Sequence, residues 1–144
     1  MTVYLDTSSA IKLYISEAGS DEVRRLVRDA TIVATSAVTY AETRAALARL
    51  RRERALTVAK FRSARREFED QWPSFVKLDA TDALCRTAGE FAERYRLRGF
   101  DSVHLASFAE VARRAGPRET GFSSFDDRLN EAAKKLARRL KRQS

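Results

Sequence analysis

Two rhythms take turns along this chain: short unbroken apolar runs, and longer stretches in which apolar residues return every three or four positions. Thr2-Val3-Tyr4-Leu5 is a run of strand formers that ends at Asp6. Ala10-Ile11-Lys12-Leu13-Tyr14 then reads as helical. Ser20-Asp21-Glu22 opens a second helix through Val23, Leu26 and Val27, with acids first and Arg24, Arg25 and Arg28 later, as the helix dipole prefers. Thr31-Ile32-Val33-Ala34-Thr35 is a second buried-type strand, and from Ser36 the pattern turns helical through Val38, Ala41, Ala45, Leu47 and Leu50. Leu56-Thr57 punctuates it, Phe61, Ala64, Phe68 and Trp72 recur at helical spacing in the next helix, and Pro73 ends that one. This aromatic stripe reads as helix-hairpin core or dimer surface. Phe75-Val76-Lys77-Leu78 is a third strand, Asp82 is expected to cap the helix from Ala83 to Tyr95, and Gly99 to stop it. A further helix begins at Asp101, runs through Val103, Leu105 and Ala106 to about Arg114, and breaks at Ala115-Gly116-Pro117. Thr120-Gly121-Phe122-Ser123 is a weaker fourth strand, leading through Ser124-Phe125-Asp126-Asp127 into a last helix.

Strands that alternate with helices predict an α/β fold, a three-layer-like α/β/α sandwich around a short, mostly parallel sheet of four to five strands. The length of 144 residues suits a single domain spanning 1–144, with a basic C-terminal helix or tail at about 126–144. No repeat or low-complexity linker interrupts it.

Charge changes the picture more than composition does. The chain carries 28 Lys and Arg against 20 acids, a formal net charge of +8, which favours a polyanion or an acidic protein as partner. Arg44, Arg49, Arg51, Arg52 and Arg54 cluster on one predicted helix, and Lys135, Arg138, Arg139 and Lys141 on the last, where a solvated face and a phosphate track are both open readings. The one cysteine, Cys85, excludes an internal disulfide and a cysteine zinc cluster, and its Ala- and Leu-rich surroundings suggest a small buried hydrophobe. The N-terminus shows no basic segment followed by a long apolar stretch, and no apolar run approaches the roughly 20 residues of a membrane span. A soluble, cytoplasmic protein is expected.

Four acids fall at junctions between the two rhythms. Asp6 follows the first strand, at the end of the sheet where open α/β folds bind ligands. Glu42 lies just inside the helix after the second strand, able to lean toward Asp6; Asp101 stands at a helix start; Asp126 or Asp127 opens the last helix. Each has an ordinary explanation as an N-cap or an exposed helical acid. Gathered in one cleft, however, several carboxylates stay ionised only if something positive joins them, and a hard divalent cation such as Mg²⁺ or Mn²⁺ is the economical answer. The chemistry would be hydrolysis of a phosphodiester at a metal-activated water. The lone histidine, His104, is read as packing and hydrogen bonding; no Gly-rich phosphate loop or Ser-His-Asp set competes.

The junctions together resemble the PIN domain, and within it the VapC-type toxin ribonucleases. Tyr4-Leu5-Asp6-Thr7-Ser8 is similar to the family's opening strand and first acid, Ala41-Glu42 to its second, Leu97-Arg98-Gly99-Phe100-Asp101-Ser102-Val103-His104-Leu105-Ala106 to its third, and Ser124-Phe125-Asp126 to its last. The resemblance implies a PIN-like sandwich and a divalent-metal-dependent endoribonuclease acting as the toxin of a toxin–antitoxin pair. By it, Asp6, Glu42, Asp101 and Asp126 would hold Mg²⁺ or Mn²⁺, Ser8 and Ser124 would be polar neighbours, and the partners would be RNA, a cognate antitoxin and a second copy of the chain. Two departures are visible: Ser124 stands where threonine is common, and Asp127 competes with Asp126. A haloacid-dehalogenase-like phosphatase would need a second Asp where Ser8 stands; a non-catalytic basic nucleic-acid-binding module would use the acids only as caps.

Overall fold

Strand β1 (Thr2–Leu5) is buried at every position, so it must be central, and its side chains divide the molecule into two faces. Tyr4 points into one core, Val3 and Leu5 into another. In the computed structural model, which describes residues 1–144, β1 pairs with β2 (Ile32–Ser36) on one side and β4 (Thr120–Ser123) on the other. Beyond β2 lies β3 (Val76–Leu78), giving a four-stranded sheet of order β3-β2-β1-β4 in which every pairing is parallel.

Each crossover is helical. Helix α1 (Thr7–Ala10), a 3₁₀ turn (Ile11–Leu13) and α2 (Ser20–Asp29) connect β1 to β2; α3 (Val38–Arg52) and α4 (Val58–Gln71) connect β2 to β3; α5 (Asp82–Tyr95) and α6 (Gly99–Ala115) connect β3 to β4. Helix α7 (Asp127–Gln143) closes the chain. The Tyr4 face is covered by α5, α6 and α7, whose Phe91, Leu105, Phe108, Leu129 and Leu136 form the larger core. The opposite face holds Val3, Leu5, Ala10 and Val23, and beside it Tyr14, Leu47, Ala64 and Phe68 join α3 and α4. The expected α/β/α layering is therefore present, and of the expected aromatic stripe Ala64 and Phe68 are core.

Several local expectations are corrected. Gly99 opens α6 instead of stopping α5. Helix α5 ends at Arg96, held left-handed at φ 54°, and Leu97 N donates to Ala92 O at 3.1 Å, the six-to-one bond of a Schellman turn. Asp101 is the third residue of α6, behind Arg98 as N-cap, and Thr81 caps α5 where Asp82 was expected, its hydroxyl accepting from Leu84 N. Cys85 is exposed, because it lies on the outer side of α5. Ser36 ends β2, and helix α3 starts only at Val38. No helix is long and apolar enough to cross a membrane.

Candidate active site

The strand order has a physical consequence. From β1 the chain steps outward through β2 to β3, then returns to the far side of β1 as β4, so the connections leaving the carboxyl ends of β1 and β4 part in opposite directions and open a crevice between them. Asp6 and Ser124 are the first residues past those ends.

Asp6 is almost fully buried and heavily bonded. Its Oδ1 accepts from the Ser9 amide at 3.0 Å, which makes it the N-cap of α1, and from Ser8 Oγ at 2.7 Å, while Oδ2 accepts from Ser124 Oγ at 2.6 Å. Ser8 Oγ in turn accepts from the Phe125 amide at 2.9 Å and Ser124 Oγ from the Asp126 amide at 3.0 Å. The two serines thus tie the loop after β4 to the carboxylate after β1, and capping and site membership coexist in one residue.

Glu42, in the second turn of α3, does lean toward this edge. Its Oε1 accepts from Thr7 Oγ1 at 2.5 Å and stands 2.9 Å from His104 Nε2. His104 is 2% exposed, and its Nδ1 is 2.8 Å from Tyr4 Oη. Burial pushes the Tyr4 phenol well above its usual range, so it stays protonated. A neutral ring satisfies both contacts in one tautomer: Tyr4 Oη donates to Nδ1, and Nε2 donates to Glu42. Burial would raise the Glu42 carboxyl, but the bonds from His104 and Thr7 outweigh it, and the net direction is down. Thr7 and Tyr4 were not foreseen as partners of these groups; a hydroxyl immediately after Asp6 was the available signal for Thr7.

Asp101 differs from the other three. No side chain or backbone group of the protein donates to it, and burial, then the charge of Asp126, push its carboxyl up, with Asp6 adding to the rise and Arg98 opposing it. Asp126 caps α7 through the Leu129 amide at 2.8 Å. Its charge is felt at Asp101, whereas Asp127, exposed in the first turn of α7, makes no comparable contact. The edge therefore brings Asp6 and Asp126 within electrostatic reach of Asp101, with Glu42 joined through Thr7, although no three of the chain's acidic, cysteine or histidine side chains already stand in a ligating cluster.

Fold and site together define a parallel α/β domain with acids at its switch point. The match to the PIN domain family model covers residues 3–135, and the chain belongs to that family, in its VapC group. It is similar to Ribonuclease VapC45 of Mycobacterium tuberculosis (strain CDC 1551 / Oshkosh) and to Ribonuclease VapC49 of Mycobacterium tuberculosis (strain ATCC 25618 / H37Rv), each 37% identical over 109 residues, 76% of either chain. Ribonuclease VapC46 of the latter strain is 31% identical over 134 residues, 93% of this chain and 92% of the relative.

Proposed function

We propose that this protein is a divalent-metal-dependent endoribonuclease, the toxin of a toxin–antitoxin pair, acting in the cytoplasm on RNA and held inactive by a cognate antitoxin. The observation that carries the reading is Asp101, a half-buried carboxylate with no donor of its own, pushed up by burial and by Asp126 and Asp6. A carboxylate so placed is suited to holding a cation and is not accounted for as a helix cap. The similarity to proteins named ribonucleases gives the cation its use.

The donor set fits Mg²⁺ or Mn²⁺: all four groups are carboxylate oxygens, and Mg²⁺ binds through one or two carboxylates while keeping several waters, which suits acids that are near one another without forming a closed cage. Asp101, Asp6 and Asp126 would hold the ion, with Glu42 beside them. When bound, it supplies charge neutralisation at the phosphate and a water of lowered pKa. The protein's own share is positioning. Ser8 and Ser124 fix both oxygens of Asp6, the α7 amide fixes Asp126, and the Tyr4–His104–Thr7 group fixes Oε1 of Glu42 while leaving Oε2 free to accept a proton or a hydrogen bond. The whole chain, 1–144, works in this reading as one nuclease domain, as a homodimer.

The test is cleavage of a structured RNA pool with Mg²⁺, with Mn²⁺ and with chelator, beside Asp101→Asn. Metal-dependent cutting that falls by about 10² or more in the variant is expected. Equal cutting by Asp101→Asn, or cutting that ignores chelator, would overturn it. One observation favours a second reading, a basic nucleic-acid-binding module: Asp6 and Asp126 are both working helix caps. That reading predicts salt-dependent binding indifferent to metal and no cleavage at all.

A further inference from the structure

A groove of about 430 Å³ runs between the C-terminal end of α5 and the first half of α7, lined by Arg94, Tyr95, Arg96, Arg128, Glu131 and Lys135. Four cations share the groove with one acid, and that acid already has a partner: Glu131 lies 3.5 Å from Lys134. No ion pair anywhere in the chain engages Arg94, Arg96, Arg128 or Lys135. Some exposed arginines elsewhere find acids, as Arg86 finds Asp82 at 2.7 Å and Arg114 finds Glu110 at 2.8 Å. The groove therefore concentrates positive charge without answering it from within.

Arg96 adds a second, independent observation. At φ 54° and ψ 50° it occupies the left-handed position that closes a Schellman turn, where glycine is the default and any Cβ is disfavoured. The carbonyl it presents accepts from Arg128 Nη1 at 3.5 Å, which ties α7 to the end of α5. Favourable interaction of cations with the α5 dipole accounts for Arg94 and Arg96 in part. It does not account for Arg128 and Lys135, which stand in the first half of α7, nor for an arginine at the glycine position.

Both walls of the groove lead along the chain to the acids. Leu97 and Arg98 lead from Arg96 into the first turn of α6, which carries Asp101, and Asp126 caps the helix that presents Arg128 two residues later. Guanidinium forks match phosphate oxygens bidentately, and Tyr95, half-buried against Phe91 at 5.7 Å, offers a ring edge beside them.

We propose that this groove carries the backbone of single-stranded RNA to or from the acidic edge, with Arg94, Arg96, Arg128 and Lys135 binding successive phosphates. The proposal rests on the ribonuclease reading, for which it names the path of the substrate. It is tested with the triple variant Arg94→Gln/Arg128→Gln/Lys135→Gln, beside the control Arg113→Gln/Arg114→Gln, whose cations sit at the C-terminal end of α6 and face Glu110. All five side chains are exposed, so both variants should fold, as a CD melt will check. The probe is an unstructured RNA of about 20 nucleotides, longer than the roughly 4–16 nucleotides that one single-strand binding fold covers, titrated in chelator over a range of salt.

The triple variant is expected to lose about tenfold or more in affinity and about 2 in the slope of log affinity against log salt, since each single-strand phosphate contact contributes roughly 0.7. With metal, its KM for the long RNA should rise while kcat holds. Wild-type affinity and slope in the triple variant, or equal losses in the control, would overturn the groove. Loss of polyglutamate binding with RNA binding intact would also overturn it and make the groove an acidic-peptide surface. If the wild-type chain cleaves no RNA in either metal, the ribonuclease reading fails separately, and a lowered salt slope in the triple variant still identifies the groove as a phosphate track.

Discussion

Tyr4→Phe removes one oxygen from the centre of the molecule and tests whether the site is built as described. The Tyr4 ring is fully buried, stacked on Phe122 at 5.8 Å with 4° between planes, and set edge-on to Phe108 at 6.4 Å and His104 at 6.0 Å. A phenylalanine keeps all of that packing, so no cavity larger than a hydroxyl is created. What changes is His104: its Nδ1, 2.8 Å from the lost oxygen, loses that donor in a side chain only 2% exposed. An unsatisfied buried acceptor costs about 1–3 kcal/mol, and about 2 kcal/mol is expected here. Urea unfolding followed by CD reads this as a midpoint lowered by roughly 1 M at an unchanged m-value, given slopes of about 1–3 kcal/mol/M for small domains. The ring of His104 is then free to turn away from Glu42, and on the ribonuclease reading kcat should fall about tenfold, or ~1.4 kcal/mol, with metal saturating. A variant within about 0.5 kcal/mol of wild type would refute the reasoning, because it would mean that Nδ1 never depended on Tyr4.

Other expectations follow from particular groups. The Tyr40 hydroxyl donates to Glu69 at 2.5 Å, Arg44 Nη1 donates to the same carboxylate at 2.8 Å, and the first of these bonds does most to hold the Glu69 carboxyl below its usual range. A depressed folded-state pKa contributes stability above the unfolded value and loses it as pH falls through the folded one, so Glu69→Gln should melt below wild type at neutral pH and converge with it as pH falls below the usual carboxylate range; a difference independent of pH would contradict this. Arg96→Gly should raise stability by about 1 kcal/mol, since a left-handed residue with a Cβ costs roughly that much, while weakening RNA binding. A variant that melts lower than wild type would mean that the Arg96 side chain supports the fold.

Local sequence determined which stretches became strands and which became helices, because unbroken apolar runs and three-to-four-residue periods are properties of neighbours along the chain. The strand–acid junction at Asp6, the helical position of Glu42 and the capping ability of Asp126 were legible for the same reason. Short-range rules failed where several residues could serve equally. Gly99 and Asp82 had the composition of a stop and a cap, yet Arg96 and Thr81 took those roles, since the helix ends were chosen by where Leu97 could bury and where Thr81 could reach the Leu84 amide. Cys85 read as buried because periodicity marks an apolar stripe without saying which way the helix is turned. Only the tertiary structure decided that β4 returns beside β1, which separates Asp6 from Ser124 by 118 positions in sequence and by 2.6 Å in space. The pairing of Tyr4 with His104 across 100 positions, and of α5 with α7 into one basic groove, belongs to the same level. Such contacts depend on the order of strands in the sheet, and that order is set by how whole helices pack on its faces.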